Sequence, residues 1–294
     1  MKDWGSRMDI SGSTRVCGII GDPVTHSMSP AMHNASFEAL GLDYVYVPLP
    51  VRVPSVAHCA PAVRTFNLRG LNVTVPHKVA IMADLDRIDP LAQRIGAVNT
   101  IVNDDGVLTG YNTDGPGFMR ALSEAGVNVE GRNVVVVGAG GAARAVAYSL
   151  VAGGARVTIL NRSVQRAEAL AHELSAVAPS MPGYARLEHG CLRERLSHAH
   201  LLVNTTSVGM TPNDESSPCP SELLREGLDV CDIVYHPLKT RLLRDADASG
   251  ARVVSGSEML VYQGAMAFEL WTGIPAPVEV MRATVLERLA RATG

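Results

Sequence analysis

The stretch Asn133-Val-Val-Val-Val137-Gly138-Ala-Gly-Gly-Ala-Ala-Arg144 decides how this chain folds. Four valines in a row do not suit a strand with one wet face, which would alternate; they suit a parallel strand buried on both faces. The glycine turn follows at once, a helix is expected to about Ala152, and Arg156 to Leu160 supplies a second strand. Strand, glycine turn, helix and strand make a βαβ unit, the setting in which such a turn is more than a bend. Glycines there let the backbone close on a pyrophosphate at the helix N-terminus. Ala143 stands at the third fingerprint position, an accepted variant, and a plain structural turn is the competing explanation.

The end of the second strand chooses the cofactor. An Asp or Glu about 20 residues on would bond a ribose 2′-hydroxyl and select NAD. Leu160 is instead followed by Asn161-Arg-Ser-Val-Gln-Arg166, without an acid. Arg162 and Arg166 offer two guanidinium groups to a 2′-phosphate, so NADP(H) is the expected cofactor. Further strands are expected from Ala199 into a polar glycine turn ending at Met210, over Val230 to Tyr235 and over Ala251 to Val254. Residues 211–221 read as a mobile surface loop. Ser257 opens a long helix that carries Gln263 and ends near Gly273, and Pro277 opens a final helix to about Ala290.

Upstream of that unit, residues 1–14 read as a flexible leader and Val16 to Ile20 as a short buried strand. Ser29 is expected to cap a helix with Pro30 in its first turn and Gly41 at its stop. Ser27 lacks such a role and is free for a ligand. Asp43 to Leu49 is the second expected strand and Gly70 to Val75 the third. The third leads into Asn72-Val-Thr-Val-Pro-His-Lys78, where Asn72 and Thr74 should share one face and Pro76 ends the ladder. Lysine is rare here: three of the 26 basic residues are lysines, Lys2, Lys78 and Lys239. Unlike guanidinium, a desolvated ammonium can act as a general acid and base near pKa ~7–8. A surface lysine after a turn is the alternative. A helical stretch from Lys78 to about Ile88 and a strand from Gly96 to Val102, with Asn99 inside it, follow. Val107 to Gly110 is the next strand. A loop, Tyr111 to Gly117, then delivers Asp114 to a helix of roughly Phe118 to Ala125. Asp114 is either a cap or the partner that orients Lys78 and stabilises its charged form.

Composition narrows the class. A chain of 294 residues with 47% hydrophobic and 19% charged residues is long enough for two globular domains. The net charge of −3 and the lack of a basic run point away from nucleic acid. Five scattered cysteines without a CxxC pair fit a reducing cytoplasm. Neither a signal peptide nor a membrane span is expected, because the start is polar and the most apolar stretch carries Arg144 and Arg156.

Several motifs in one order resemble the shikimate dehydrogenase family. They are Gly21-x-Pro-x-x-His-Ser-x-Ser-Pro-x-x-His-Asn34, Asn-Val-Thr-Val-Pro-His-Lys78, Gly-Ala-Val-Asn-Thr100, Asn-Thr-Asp-Gly115, Gly-Ala-Gly-Gly-Ala142, Asn161-Arg162, Tyr-x-Pro-Leu-Lys-Thr240 and Gln-Gly-Ala265. The likeness runs from Val16 to the last helix. It implies NADPH-dependent, reversible reduction of 3-dehydroshikimate to shikimate. Lys78 and Asp114 would be catalytic, with Ser27, Ser29, Asn72, Thr74, Asn99, Tyr235 and Gln263 joining them to hold the substrate. Gly138, Ala139, Gly140, Gly141, Ala142, Asn161, Arg162 and Arg166 would hold NADP, with Ile233 and Gly256 near the nicotinamide. The expected fold is α/β: an N-terminal α/β substrate domain and a C-terminal Rossmann-like, doubly wound NADP-binding domain, with the site in the cleft between them. The substrate domain is expected over residues 1–113, completed by the helices of 257–294, and the NADP domain over 114–256. The expected partners are the small-molecule substrate and the cofactor, with neither nucleic acid nor membrane, for a cytoplasmic monomer or homodimer.

Three rivals have sequence features to weigh. A quinate/shikimate dehydrogenase using NAD is nearest, but family members that take quinate often show threonine at the second serine position or an acid after the second strand. A zinc enzyme could draw on His26, His33 and His77, which lack ligand spacing. A non-catalytic NADP sensor would have no use for Lys78 and Asp114.

Overall fold

The computed structural model describes residues 10–178 and 180–292. The chain divides into two compact units, the first holding residues up to 93 with 98–111 and 264–285, the second 94–97, 112–263 and the end of the chain.

The first unit carries a mixed sheet. Its elements are β1 (Arg15–Gly21), α1 (Ser29–Ala39), β2 (Tyr44–Pro50), α2 (Cys59–Thr65), β3 (Gly70–Val73), β4 (Arg87–Ile88), α3 (Pro90–Ile95), β5 (Thr100–Asp104) and β6 (Val107–Tyr111). The strand order is β2-β1-β3-β5-β6-β4. β1 lies parallel to β2 and β3, whereas β5 runs antiparallel to β3 and β6. One core holds Ile20, Leu71, Val73, Ile81, Ile101 and Leu108. A second, aromatic one gathers Phe37, Tyr46, Phe268 and Trp271 around His33. Trp271 anchors it by donating from its indole to the Ile101 carbonyl at 3.0 Å.

The second unit contains α4 (Asp114–Glu124), β7 (Asn133–Val137), α5 (Gly141–Ala152), β8 (Arg156–Asn161), α6 (Val164–Leu174), β9 (Gly183–Arg186), α7 (His189–Leu196), β10 (Leu201–Asn204), β11 (Asp229–Asp232), α8 (Arg241–Ala248) and β12 (Arg252–Ser255). Its sheet is parallel throughout, ordered β12-β11-β10-β7-β8-β9. Counting from β7, that is the doubly wound order of dinucleotide-binding folds, which reverses between β7 and β10. The valine run has the reason expected for it: β7 is the inner strand between β8 and β10, and Val134 to Val137 are all buried. α9 (Gly256–Thr272) and α10 (Val278–Ala292) follow.

Several local expectations need correction. The third strand stops at Val73, so Val75 is 60% exposed rather than alternating inward. No long helix follows Lys78; a single 3-10 turn, Ala80–Asp84, leads into the short β4. β5 begins at Thr100, leaving Asn99 just before the strand rather than inside it. Gly96 turns with φ +70°, which keeps the expected strand from starting there. α4 begins at Asp114 itself, so the preceding loop is shorter than expected. Within 211–221, Cys219 is fully buried and Glu215 pairs with Arg241 and Arg244, which ties that loop down. Of the expected leader, residues 1–9 lie outside the described residues. Ser13 and Thr14 bind the Asp43 carboxylate at 2.7 and 2.6 Å and fasten the chain just before β1 to the start of β2.

Candidate active site

In the first unit two of the predicted substrate residues, Asn72 and Asn99, fall on one buried polar chain. The sheet register creates it. Asn72 on β3 pairs directly with Thr100 on β5, which puts their side chains side by side. Tyr46 on β2 lies on the other side of β1, about 10 Å from β3 at the usual strand spacing. A phenol is long enough to cross that gap, and its hydroxyl donates to Asn72 Oδ1 at 2.7 Å. Asn72 Nδ2 donates to the Asn99 carbonyl at 3.2 Å and to Thr100 Oγ1 at 3.1 Å. Thr100 donates in turn to Asn99 Oδ1 at 3.2 Å. Burial pushes the Tyr46 phenol well above its ordinary range, and the hydroxyl of Ser29, beside it, pulls the other way. Tyr46 and Thr100 are not among the predicted site residues: a lone Tyr in a strand carries no motif, and Thr100 only closes the Gly-Ala-Val-Asn-Thr100 motif without a role of its own.

Lys78 is half-buried, and its carbonyl accepts the Val98 N–H at 2.8 Å. The Val73 N–H donates to the Asn99 carbonyl at 2.8 Å. The lysine loop and the Asn99 turn are thus stitched together by their backbones. Thr74 is half-buried and its N–H donates to the Ile20 carbonyl. Ser29 is the first helical residue of α1, not its cap, and is 4% exposed. Ser27 does have a local partner: its Oγ accepts the Ser29 N–H at 3.3 Å.

The histidines of the zinc rival go separate ways. His26 is exposed, His77 meets the Val51 carbonyl at 2.6 Å, and His33 lies under the aromatic cluster. Among the described residues no three His, Cys, Asp or Glu side chains gather as a metal site.

In the second unit the glycine turn lies at the sheet's reversal point. Gly138 has φ +118°, and a Cβ there would sit 2.4 Å from Thr205 Oγ1, so only glycine fits. Thr205 itself is fixed at the end of β10 by donating to the Val137 carbonyl at 2.7 Å. Gly140 caps α5 without a side-chain hydrogen bond, and the space where its Cβ would be is open. The first-turn N–H groups of a 12-residue helix therefore face an uncovered site, which suits a pyrophosphate. Ala139, Gly141 and Ala142 line the same turn, half-buried.

Asn161 ends β8 and donates to the Ser163 carbonyl at 2.9 Å. Arg162 and Arg166 are exposed around the start of α6, whose first turn has no acid. Neither takes part in an ion pair among the described residues, whereas Arg144 on α5 grips Glu173 with both guanidinium nitrogens. Two uncompensated cations at the positive end of a helix are unfavourable alone and fit a phosphate dianion. Ile233 and Gly256 are brought together: a Cβ on Gly256 would lie 2.4 Å from the Ile233 carbonyl oxygen.

Asp232 is buried just before Ile233 and accepts from Asn204, Thr240 and the Val234 N–H at 2.9, 2.7 and 3.0 Å. Burial pushes its carboxyl up to about 6, against the pull of those bonds. It sets the strand end leading to Tyr235, whose phenol burial also raises. Asp114, 6% exposed, opens α4, where the helix dipole favours a carboxylate. Gly117 in the same first turn lets α4 close on the backbone of Gln263; a Cβ would meet its nitrogen at 2.7 Å.

Comparison with known proteins agrees with both units. Residues 19–101 match the shikimate dehydrogenase substrate binding domain, 120–209 the shikimate / quinate 5-dehydrogenase domain, and 256–286 the shikimate 5'-dehydrogenase C-terminal domain. The shikimate dehydrogenase (NADP(+)) of Methanosarcina acetivorans is 51% identical over 278 residues, 94% of this chain and 99% of that protein. A crystal structure of shikimate dehydrogenase in complex with NADP+ superposes with a TM-score of 0.90 at 42% identity, covering 95% of this chain and 97% of the other. The Thermus thermophilus shikimate 5-dehydrogenase in complex with NADP(H) and shikimate gives 0.84 at 42% identity, covering 94% and 99%. Near-complete coverage at this identity, with a mixed sheet in one unit and a doubly wound sheet in the other, places the chain in the NADP-dependent shikimate dehydrogenase family.

Proposed function

We propose that Lys78 moves the proton in this chain's reaction, the reversible NADPH-dependent reduction of 3-dehydroshikimate to shikimate that serves chorismate and aromatic amino-acid biosynthesis. The bound cofactor supplies the hydride for the ketone carbon. Lys78 gives its proton to the carbonyl oxygen as negative charge grows there, and takes one from the same hydroxyl in the reverse direction. Asp114 is the second catalytic residue, a carboxylate suited to holding a substrate hydroxyl. Ser27, Ser29, Asn72, Thr74, Asn99, Tyr235 and Gln263 orient the ring and its carboxylate. Gly138 to Ala142 hold the pyrophosphate, Asn161, Arg162 and Arg166 the adenosine phosphate end, and Ile233 and Gly256 flank the nicotinamide. The chain's own contribution is placement and charge; the redox chemistry is the cofactor's.

The observation that carries this is the polar chain of the first unit, where Asn72, Asn99 and Thr100 are buried and joined beside the Lys78 loop. A spectrophotometric scan of shikimate and quinate against NADP+ and NAD+ tests it. Shikimate with NADP+ is expected to give the fastest absorbance rise at the NADPH wavelength. A faster rise with quinate and NAD+ would favour the nearest rival instead. We further assign the chain to the cytoplasm on its five free thiols, and expect a monomer or homodimer. Light scattering and cell fractionation check both. No helix among the described residues is long and apolar enough to cross a membrane.

A further inference from the structure

We propose that Tyr46 and Thr100 are positioning residues for the substrate. A one-way chain of hydrogen-bond donors, Tyr46 to Asn72 to Thr100 to Asn99, locks the Asn99 amide so that its NH2 is the end offered to a substrate oxygen. This rests on Asn99 holding the substrate, and it adds what that residue presents and what sets it.

The direction of the first links follows from chemistry. The Asn99 carbonyl oxygen lies 3.2 Å from one end of the Asn72 amide. Only the NH2 end can face a carbonyl; a flipped amide would set two oxygens together. Oδ1 of Asn72 therefore faces Tyr46, and an amide oxygen carries no hydrogen, so the phenol must donate across their 2.7 Å contact. Thr100 Oγ1 receives the Asn72 N–H at 3.1 Å. Its own hydrogen remains for donation, and it donates to Asn99 Oδ1 at 3.2 Å. With its oxygen engaged, the Asn99 amide is held with NH2 as its donating end, so a ligand atom it meets must be an acceptor.

Burial gives the chain its force. Tyr46, Asn72, Thr100 and Asn99 are 1%, 4%, 0% and 2% exposed. Water cannot replace a lost link cheaply, and low local dielectric strengthens each bond that remains. The anchor is also fixed. The Tyr46 ring stacks on His33, with centroids 4.6 Å apart and planes 14° apart, and lies 5.9 Å from Trp271. The chain therefore starts from a phenol whose ring is packed on both neighbours.

The test is steady-state shikimate oxidation by the full chain at saturating NADP+. Tyr46→Phe keeps the ring stack and deletes the first donor. It is expected to raise KM for shikimate roughly tenfold, with kcat within about twofold and KM for NADP+ unmoved. Thr100→Val should do the same, and Thr100→Ser, which keeps the hydroxyl, should stay near wild type. Because the links act in series, the double variant should lose no more than either single one. Wild-type KM in Tyr46→Phe overturns the relay, as do losses that multiply in the double variant. A fall in kcat and in both affinities together with the melting temperature overturns it too, in favour of a merely structural role. An inert wild type would indict the functional reading itself; an active wild type with unmoved variants overturns the relay alone.

Discussion

The two units prepare for their ligands in opposite ways. In the first, the candidate residues are side chains, buried and bonded to one another before any ligand arrives: Tyr46, Asn72, Thr100 and Asn99. In the second, the groups that suit the cofactor's phosphates are bare backbone at the Gly138–Gly141 turn and two exposed arginines without ion-pair partners among the described residues. The difference matches the two recognition problems. A small ring with several hydroxyls is distinguished by where its donors and acceptors stand, which demands fixed amides and hydroxyls. A dinucleotide offers phosphate charge, which N–H groups and guanidinium forks meet without close fit. Loss of a buried link in the first unit should therefore weaken the hold on the substrate, and loss of the bare turn or of the arginines in the second the hold on the cofactor.

The largest effect belongs to Lys78. Lys78→Ala is expected to lower kcat by ~10²–10⁴ while KM for shikimate stays near wild type, since the lost contribution is proton transfer. Turnover close to wild type in that variant removes Lys78 from the reaction.

Acid should separate the units by sign. Unfolded histidine takes its proton near 6.5, whereas His33, desolvated among Phe37, Tyr46, Phe268 and Trp271 with both ring nitrogens unpartnered, is lowered to about 3. The unfolded chain then binds the extra proton, so stability falls as pH drops from about 6.5 to about 3, by on the order of 4 kcal/mol. Asp232 is raised from 3.8 to about 6, so the folded state holds a proton the unfolded chain has released. Its cost appears as pH rises through that window and is on the order of 3 kcal/mol. Denaturant midpoints across pH 3–7 should show His33→Phe flattening the acid loss and Asp232→Asn removing the opposite slope. An unchanged slope in either variant breaks the assignment for that unit.

Two glycine variants sharpen the contrast within the second unit. Gly138→Ala meets both an unfavourable φ and Thr205 Oγ1, and should cost about 2–3 kcal/mol of stability by denaturant titration. Gly140→Ala enters open space and should leave stability alone while weakening NADP+ binding by calorimetry. Equal stability losses in the two would mean that the turn is structural and no cradle. The mildest change is Arg162→Ala with Arg166→Ala. It should raise KM for NADP+ on the order of 10–100-fold, with KM for NAD+ and the melting temperature unmoved. Parallel losses for both cofactors would deny these arginines a part in selection.

Much of the second unit was legible because its signals are local. The valine run, the glycine turn and the missing acid after Leu160 lie within one βαβ unit, and backbone rules read them directly. The edge strands β4 and β9 were not legible. They are two and four residues long, too short to show a period. Ser29 read as a cap from its type, yet it is the first helical residue, because Met28 takes the cap position. Candidate residues such as Lys78, Asn72 and Asn99 stood out through motif, but the bonds of Asn72 to Tyr46 and Thr100 did not.

By itself the sequence determined the doubly wound unit, the order of the motifs and the choice of a phosphorylated cofactor, since each rests on neighbours along the chain. Tertiary structure alone decided that Tyr46 would reach Asn72, 26 residues away, and that Asn72 would meet Thr100, 28 residues away. The physical reason is register. Side chains from three strands become neighbours only once β1 lies between β2 and β3 and β5 turns antiparallel, and no local period encodes which residues then stand opposite.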